Sequence, residues 1–203
     1  MCIMDYTESI AVEDLEVRLI EGKILEMDTY NQLKEKGPWK LERATVNQDK
    51  GGIDAFIVGF KDGREIKSPR KIQIKNRQTG DDVLVETVKP VDVKDGEINF
   101  KGFTGRDMRE DVSLYCCVDT KKRLMMFKGK RVKDAAKDMT EEFLRFYKDH
   151  RLPDKPDKVC PLGVVKMRKD HSDEATYGMG KVDKILVFIS PSCMKPDYQI
   201  QLD

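Results

Sequence analysis

Three side chains in this sequence have the types and spacing to hold a divalent cation against a phosphodiester: Asp54, Gln73 and Lys75. Asp54 closes Gly51-Gly52-Ile53-Asp54 and opens the apolar run Ala55-Phe56-Ile57-Val58. Gln73 and Lys75 alternate with Ile72 and Ile74, so both face one side of a strand. Hydrolysing a phosphodiester needs charge neutralised on the phosphate and an activated water, and Mg²⁺ supplies both. Mg²⁺ takes octahedral oxygen coordination and keeps several waters, so one or two carboxylates with an amide or backbone carbonyl suffice. Asp54 offers the carboxylate, Gln73 its side-chain oxygen and Ile74 its main-chain carbonyl. Lys75 sets an ammonium near the attacking water or the developing charge. Glu26, on an upstream helix, can complete the shell. Mn²⁺ should substitute for Mg²⁺.

The elements that must position these residues follow from hydrophobic period. Residues 9–36 repeat apolar side chains (Ile10, Leu15, Leu19, Ile20, Ile24, Leu25, Leu33) near helical spacing, with Gly22 a point where the helix could divide. Gly37-Pro38 stops it. Trp39–Val46, Ile53–Phe60 and Lys71–Lys75 read as strands, the last two joined through an Asp62-Gly63 turn. Short strands are expected within 83–93 and 98–103, and a hairpin from 112–118 to 124–127. A helix over 133–149 carries the stripe Ala135, Ala136, Met139, Phe143, Leu144 and Tyr147. An extended connection at 150–161 and a late strand at 182–189 follow. Helix, three strands and then mixed elements predict an α/β sheet with helices packed against it.

The order Gly22-Lys23-Ile24-Leu25-Glu26 on a helix, Gly51-Gly52-Ile53-Asp54, then Ile72-Gln73-Ile74-Lys75 resembles the PD-(D/E)xK nuclease superfamily. The glycine pair and the Gln-x-Lys are most similar to its Mrr-type restriction endonuclease branch, which uses glutamine where most relatives carry an acid. A helix beginning Gly-x-x-x-Glu is similar to archaeal Holliday-junction resolvases of the same fold. The resemblance covers residues 20–78. It implies a restriction-endonuclease-like fold, with a central mixed β-sheet flanked by helices and additional β-rich elements toward the C-terminus. Residues 1–150 would be the nuclease-like core, with an insertion around 80–110, and 151–203 an extension that completes or packs on it. It further implies a Mg²⁺-dependent DNA endonuclease with Asp54, Gln73 and Lys75 at its core and Glu26 as accessory ligand. The substrate would be double-stranded or branched DNA, and junction cutting would call for a symmetric homodimer. Two departures stand out: Ile53 precedes the aspartate where the superfamily pattern has proline, and Gln73 removes a negative charge, which weakens metal binding or leaves binding without cleavage.

Composition narrows the partners. With 39% hydrophobic and 37% charged residues the chain should fold and expose a very polar surface, and its net charge of +1 makes it no polycation. Cations nevertheless cluster. Arg64, Lys67, Arg70, Lys71 and Arg77 surround the Gln-x-Lys element, with Lys50 beside the glycine pair, and would grip phosphates. A second basic run spans 121–133. The five cysteines form no C-x-x-C pair, and reduced structural thiols are expected. No membrane-length apolar segment or signal-peptide pattern is present, which predicts a cytoplasmic protein. Two other readings stay open: a nucleic-acid-binding protein on a nuclease fold that has lost catalysis, and a protein-partner surface over 121–149. RNA stays open beside DNA as the substrate.

Overall fold

The computed structural model describes residues 12–75, 82–88, 92–94, 97–99, 103, 105–118, 121–150, 157–169 and 183–202. Helix α1 (Val12–Lys36) runs unbroken through Gly22, where the sequence suggested a division. Tyr30 and Leu33 bury one face of its C-terminal half, and Lys34 and Lys36 sit at the negative end of its dipole. Together these outweigh the ~1 kcal/mol that an interior glycine costs.

Strand β1 (Trp39–Arg43), the short helix α2 (Val46–Lys50), β2 (Ala55–Phe60) and β3 (Glu65–Lys75) follow, with the three strands in an antiparallel meander. The chain then passes through β4 (Val83–Val88), β5 (Asp92–Lys94), β6 (Glu97–Asn99) and the one-turn helix α3 (Arg106–Arg109). Strand β7 (Leu114–Val118) returns parallel to β3, and β8 (Arg123–Lys128) turns back against it. Helix α4 (Gly129–His150) and strands β9 (Asp157–Cys160), β10 (Gly163–Lys169), β11 (Asp183–Ile189) and β12 (Tyr198–Gln201) complete the order.

Two main sheets result. A mixed six-stranded sheet runs β1-β2-β3-β7-β8-β12, and an antiparallel four-stranded sheet runs β4-β11-β10-β9. The larger sheet curls until its edges meet: the rings of Trp39 on β1 and Tyr198 on β12 pack edge to face, 5.5 Å between centroids. The C-terminal strands thus enter both sheets, β12 the large one and β9 to β11 the small one.

Both faces of the large sheet are covered, which is why Leu114-Tyr115-Cys116-Cys117 is continuously apolar rather than alternating. Leu114 and Cys116 join Ala55, Ile57, Ile72 and Ile74 under α1. Tyr115 and Cys117 face the other way, into a core shared with α4 and the small sheet. Helix α4 touches strands of both sheets, and its buried Ala136, Met139 and Phe143 follow the predicted stripe. The side chain of Tyr147 lies outside the described residues. The fold is α/β, with a mixed sheet flanked by helices and a strand-rich C-terminal region. Among the described residues no helix is long and apolar enough to cross a membrane.

Candidate active site

Strands β2 and β3 part company at Asp54. Its backbone N–H still makes a ladder bond to the Ile72 carbonyl at 2.9 Å. The next donor along β3, the Ile74 N–H, is met instead by Asp54 Oδ2 at 2.5 Å. A carboxylate therefore stands where a strand carbonyl would have been, opposite Gln73. The approach to Asp54 is held by α2, whose Thr45 and Gln48 form a reciprocal capping box, and by Gly52 at φ 92°. That φ is costly for a side chain with a Cβ, so only the second glycine of the pair is conformationally required.

Gln73 and Lys75 lie on one face of β3, as their alternation predicts, and share a partner that no sequence motif marks. Asp107 on α3 accepts from Gln73 Nε2 at 2.7 Å and from Lys75 Nζ at 2.8 Å, both on Oδ1. Its Oδ2 accepts from the Glu86 N–H at 2.8 Å. The Tyr115 hydroxyl donates to its main-chain carbonyl at 3.1 Å. Gly105, just before α3, comes so close to β4 that a Cβ there would sit 2.2 Å from the Glu86 carbonyl oxygen. Glycine thus lets α3 dock and brings Asp107 under the strand.

The two buried carboxylates have opposite tendencies. Burial pushes the Asp54 carboxyl up to about 7; the Ile74 N–H and Lys75 oppose the rise, while Glu26 and Asp49 add to it. Burial acts on Asp107 as well, but Lys75, the Glu86 N–H and Gln73 outweigh it and hold that carboxyl below its ordinary value. Asp107 is therefore the settled anion and Asp54 the unsettled one. Gln73 is 1% exposed, and its Oε1 has no hydrogen-bond partner among the described residues. Leaving such an acceptor unpaired costs roughly 1–3 kcal/mol.

An orphaned amide oxygen and an undercompensated carboxylate on facing strands suit a hard cation that prefers oxygen ligands. Asp54, Gln73 Oε1 and the Ile74 carbonyl are the residues that would hold it. Among the described residues no three His, Cys, Asp or Glu side chains gather as a metal-holding group, so the amide and a main-chain oxygen would be essential. Glu26 is half-buried on α1 and acts on Asp54 through its charge.

The predicted phosphate-binding residues divide. Lys67 and Arg70 are exposed on β3, and Lys71 pairs with Glu110 at 2.6 Å. The structure does not bring Arg64 to the site. It lies in the turn at the far end of the β2–β3 hairpin, ~20 Å from Asp54 at strand rise, paired with Asp62 at 2.8 Å. The side chain of Lys50 and all of Arg77 lie outside the described residues. From the second basic run, Lys128, Lys130 and Lys133 join Lys137 around a cleft of about 620 Å³ at the start of α4. Burial lowers the Lys133 ammonium's pKa. Arg131 instead pairs with Asp197 at 2.9 Å.

Comparison with protein-family models, curated proteins and solved structures finds no match to this chain.

Proposed function

We propose that this protein is a metal-dependent nuclease of the PD-(D/E)xK kind that hydrolyses DNA phosphodiester bonds at Asp54, Gln73 and Lys75. The observation that carries the reading is the buried Gln73 Oε1, without a hydrogen-bond partner among the described residues, one position before the Ile74 N–H that the Asp54 carboxylate takes. Element order supports it: helix α1 with Glu26, β2 headed by Asp54, β3 ending in Gln73 and Lys75, then β7 parallel to β3. That order is compatible with a restriction-endonuclease-like core.

Mg²⁺ bound there would neutralise phosphate charge and lower the pKa of a bound water. The chain's own residues do the rest. Asp54 and the Gln73 and Ile74 oxygens would form the anionic and dipolar floor that holds the cation beside the phosphate. Lys75, an ammonium ion-paired with Asp107, donates to a phosphate oxygen and stabilises its developing charge. In that state it has no lone pair with which to take the water's proton. Exposed Lys67 and Arg70 would contact flanking phosphates.

The same ion pair favours a second reading: a nucleic-acid-binding protein whose lysine is tied back and whose cleavage is weak or lost. One gel separates the two. Supercoiled, linear, single-stranded and four-way-junction DNA are incubated with Mg²⁺, Mn²⁺ or EDTA, beside Asp54→Ala. Metal-dependent cutting that vanishes in the variant is the expected result. A folded protein that shifts DNA and cuts none of these substrates would leave the binding reading in its place.

A further inference from the structure

Gln73 cannot turn its amide over. With Nε2 donating to Asp107 Oδ1 at 2.7 Å, a flip would press the amide oxygen against a carboxylate oxygen, two acceptors with no proton between them. Asp107 cannot yield either. Its Oδ2 is held by the Glu86 N–H, its main-chain carbonyl by the Tyr115 hydroxyl, and α3 is docked on β4 through Gly105. Gln73 Oε1 therefore stays on the side of the amide away from Asp107, buried and without a partner among the described residues. The oxygen that takes the amide also takes the ammonium of Lys75 at 2.8 Å. One carboxylate on α3 thus governs both functional side chains at the end of β3.

We propose that Asp107 is a positioning residue of the metal site: it turns the Gln73 amide so that its oxygen faces the cation. It also supplies, one layer behind, the negative charge that a glutamine at 73 lacks. This inference rests on the metal-dependent reading of the Asp54 site. No motif marks Asp107, because the carboxylate arrives from a different element of the fold. Its role differs from that of Asp54. Asp107 touches neither cation nor phosphate; it acts through Gln73 and Lys75, as partners behind metal ligands commonly do.

The test is Mn²⁺ binding to the full chain by calorimetry, with melting followed by circular dichroism. Asp107→Asn removes the charge and lets residue 107 donate as well as accept, so the Gln73 amide is no longer constrained. Mn²⁺ affinity should fall by roughly 10–100-fold. Gln73→Glu/Asp107→Asn exchanges acid and amide: the amide nitrogen of Asn at 107 donates to Glu at 73, and its oxygen keeps the Glu86 N–H. The Lys75 ammonium turns from residue 107 to the new carboxylate at 73, so the charge stays in the site. That double variant should bind Mn²⁺ close to the parental affinity, whereas Gln73→Glu alone sets two carboxylates together and should melt lower. A purely structural Asp107 would lower the melting temperature of Asp107→Asn and leave the folded protein's affinity unchanged, which overturns the proposal. If Asp107→Asn does not fold, the double variant decides: binding supports the proposal and a folded non-binder overturns it. A parental chain that binds no Mn²⁺ overturns this inference together with the metal reading. Binding that depends on residue 107, without any cleavage, leaves the positioning role standing and removes only the nuclease.

Discussion

Lys75 Nζ and Asp107 Oδ1 lie 2.8 Å apart, the Asp107 side chain 2% exposed and that of Lys75 17%. A pair this enclosed behaves unlike a surface salt bridge. Its net contribution against an apolar replacement is small, but removing one partner strands the other's charge. Asp107→Ala should therefore cost roughly 3–5 kcal/mol in urea unfolding. It also leaves the Glu86 N–H and Gln73 Nε2 without their acceptor. A loss below ~1 kcal/mol would mean that water replaces the carboxylate and that the pair is not enclosed in solution.

Asp54 makes stability fall as pH rises. Its carboxyl is pushed up to about 7 in the folded protein against 3.8 for the ordinary group, so the unfolded chain gives up the proton first. Below pH 4 both states are protonated and nothing is lost; between 4 and 7 the folded state is progressively penalised, up to about 4 kcal/mol. Asp54→Asn removes the penalty while its side-chain oxygen can still accept from the Ile74 N–H. Thermal melts should therefore show the variant more stable than the parent at pH 8, and similar to it at pH 4. Mg²⁺ or Mn²⁺ should raise the parental melting temperature more at pH 8 than at pH 5, and leave the variant unmoved. Parallel melting curves at all pH values would show that Asp54 is not held in this raised state.

The parts of this site that could be read from sequence are those set by local period. Alternation of Ile72 and Ile74 with Gln73 and Lys75 placed the last two on one face, and the glycine-aspartate junction marked the head of β2. The stripe of α4 was legible for the same reason. Asp107 was not: its partners lie 34 residues back on β3 and 21 back on β4, and Arg106–Arg109 reads as any short polar helix. Strand β12 (Tyr-Gln-Ile-Gln) is too short and polar to show a period, and it forms because β8 offers an open edge. Arg64, expected with the other cations to grip flanking phosphates, lies at the turn, because nearness in sequence to Gln73 hides the length of β3 between them.

Binding to nucleic acid should separate the cations that are exposed on β3 from the one at its turn. Lys67→Ala and Arg70→Ala should each flatten the plot of log affinity against log salt by about one unit of slope, as one phosphate contact is lost. Arg64→Ala should leave it unchanged, because Arg64 is paired with Asp62 and lies over the Phe60 ring, 4.5 Å from its centroid. An equal effect of all three would place the nucleic acid along the whole hairpin rather than across the Asp54 end.

Lys75→Ala separates cutting from holding. If the ammonium stabilises charge that develops on the phosphate, its loss should lower the cleavage rate by roughly 10²–10³-fold, the scale seen when one such donor is removed. DNA affinity should change little, since the exposed cations of β3 remain. The variant also strands Asp107, so the comparison must be made on protein shown by circular dichroism to be folded at the assay temperature. Lys75→Arg keeps a cation near Asp107 but changes its reach and shape; partial recovery of rate there, with none in Lys75→Gln, would assign the effect to charge rather than packing. Cleavage by Lys75→Ala at the parental rate would remove Lys75 from the chemistry altogether, and leave its ion pair with Asp107 as a structural contact alone.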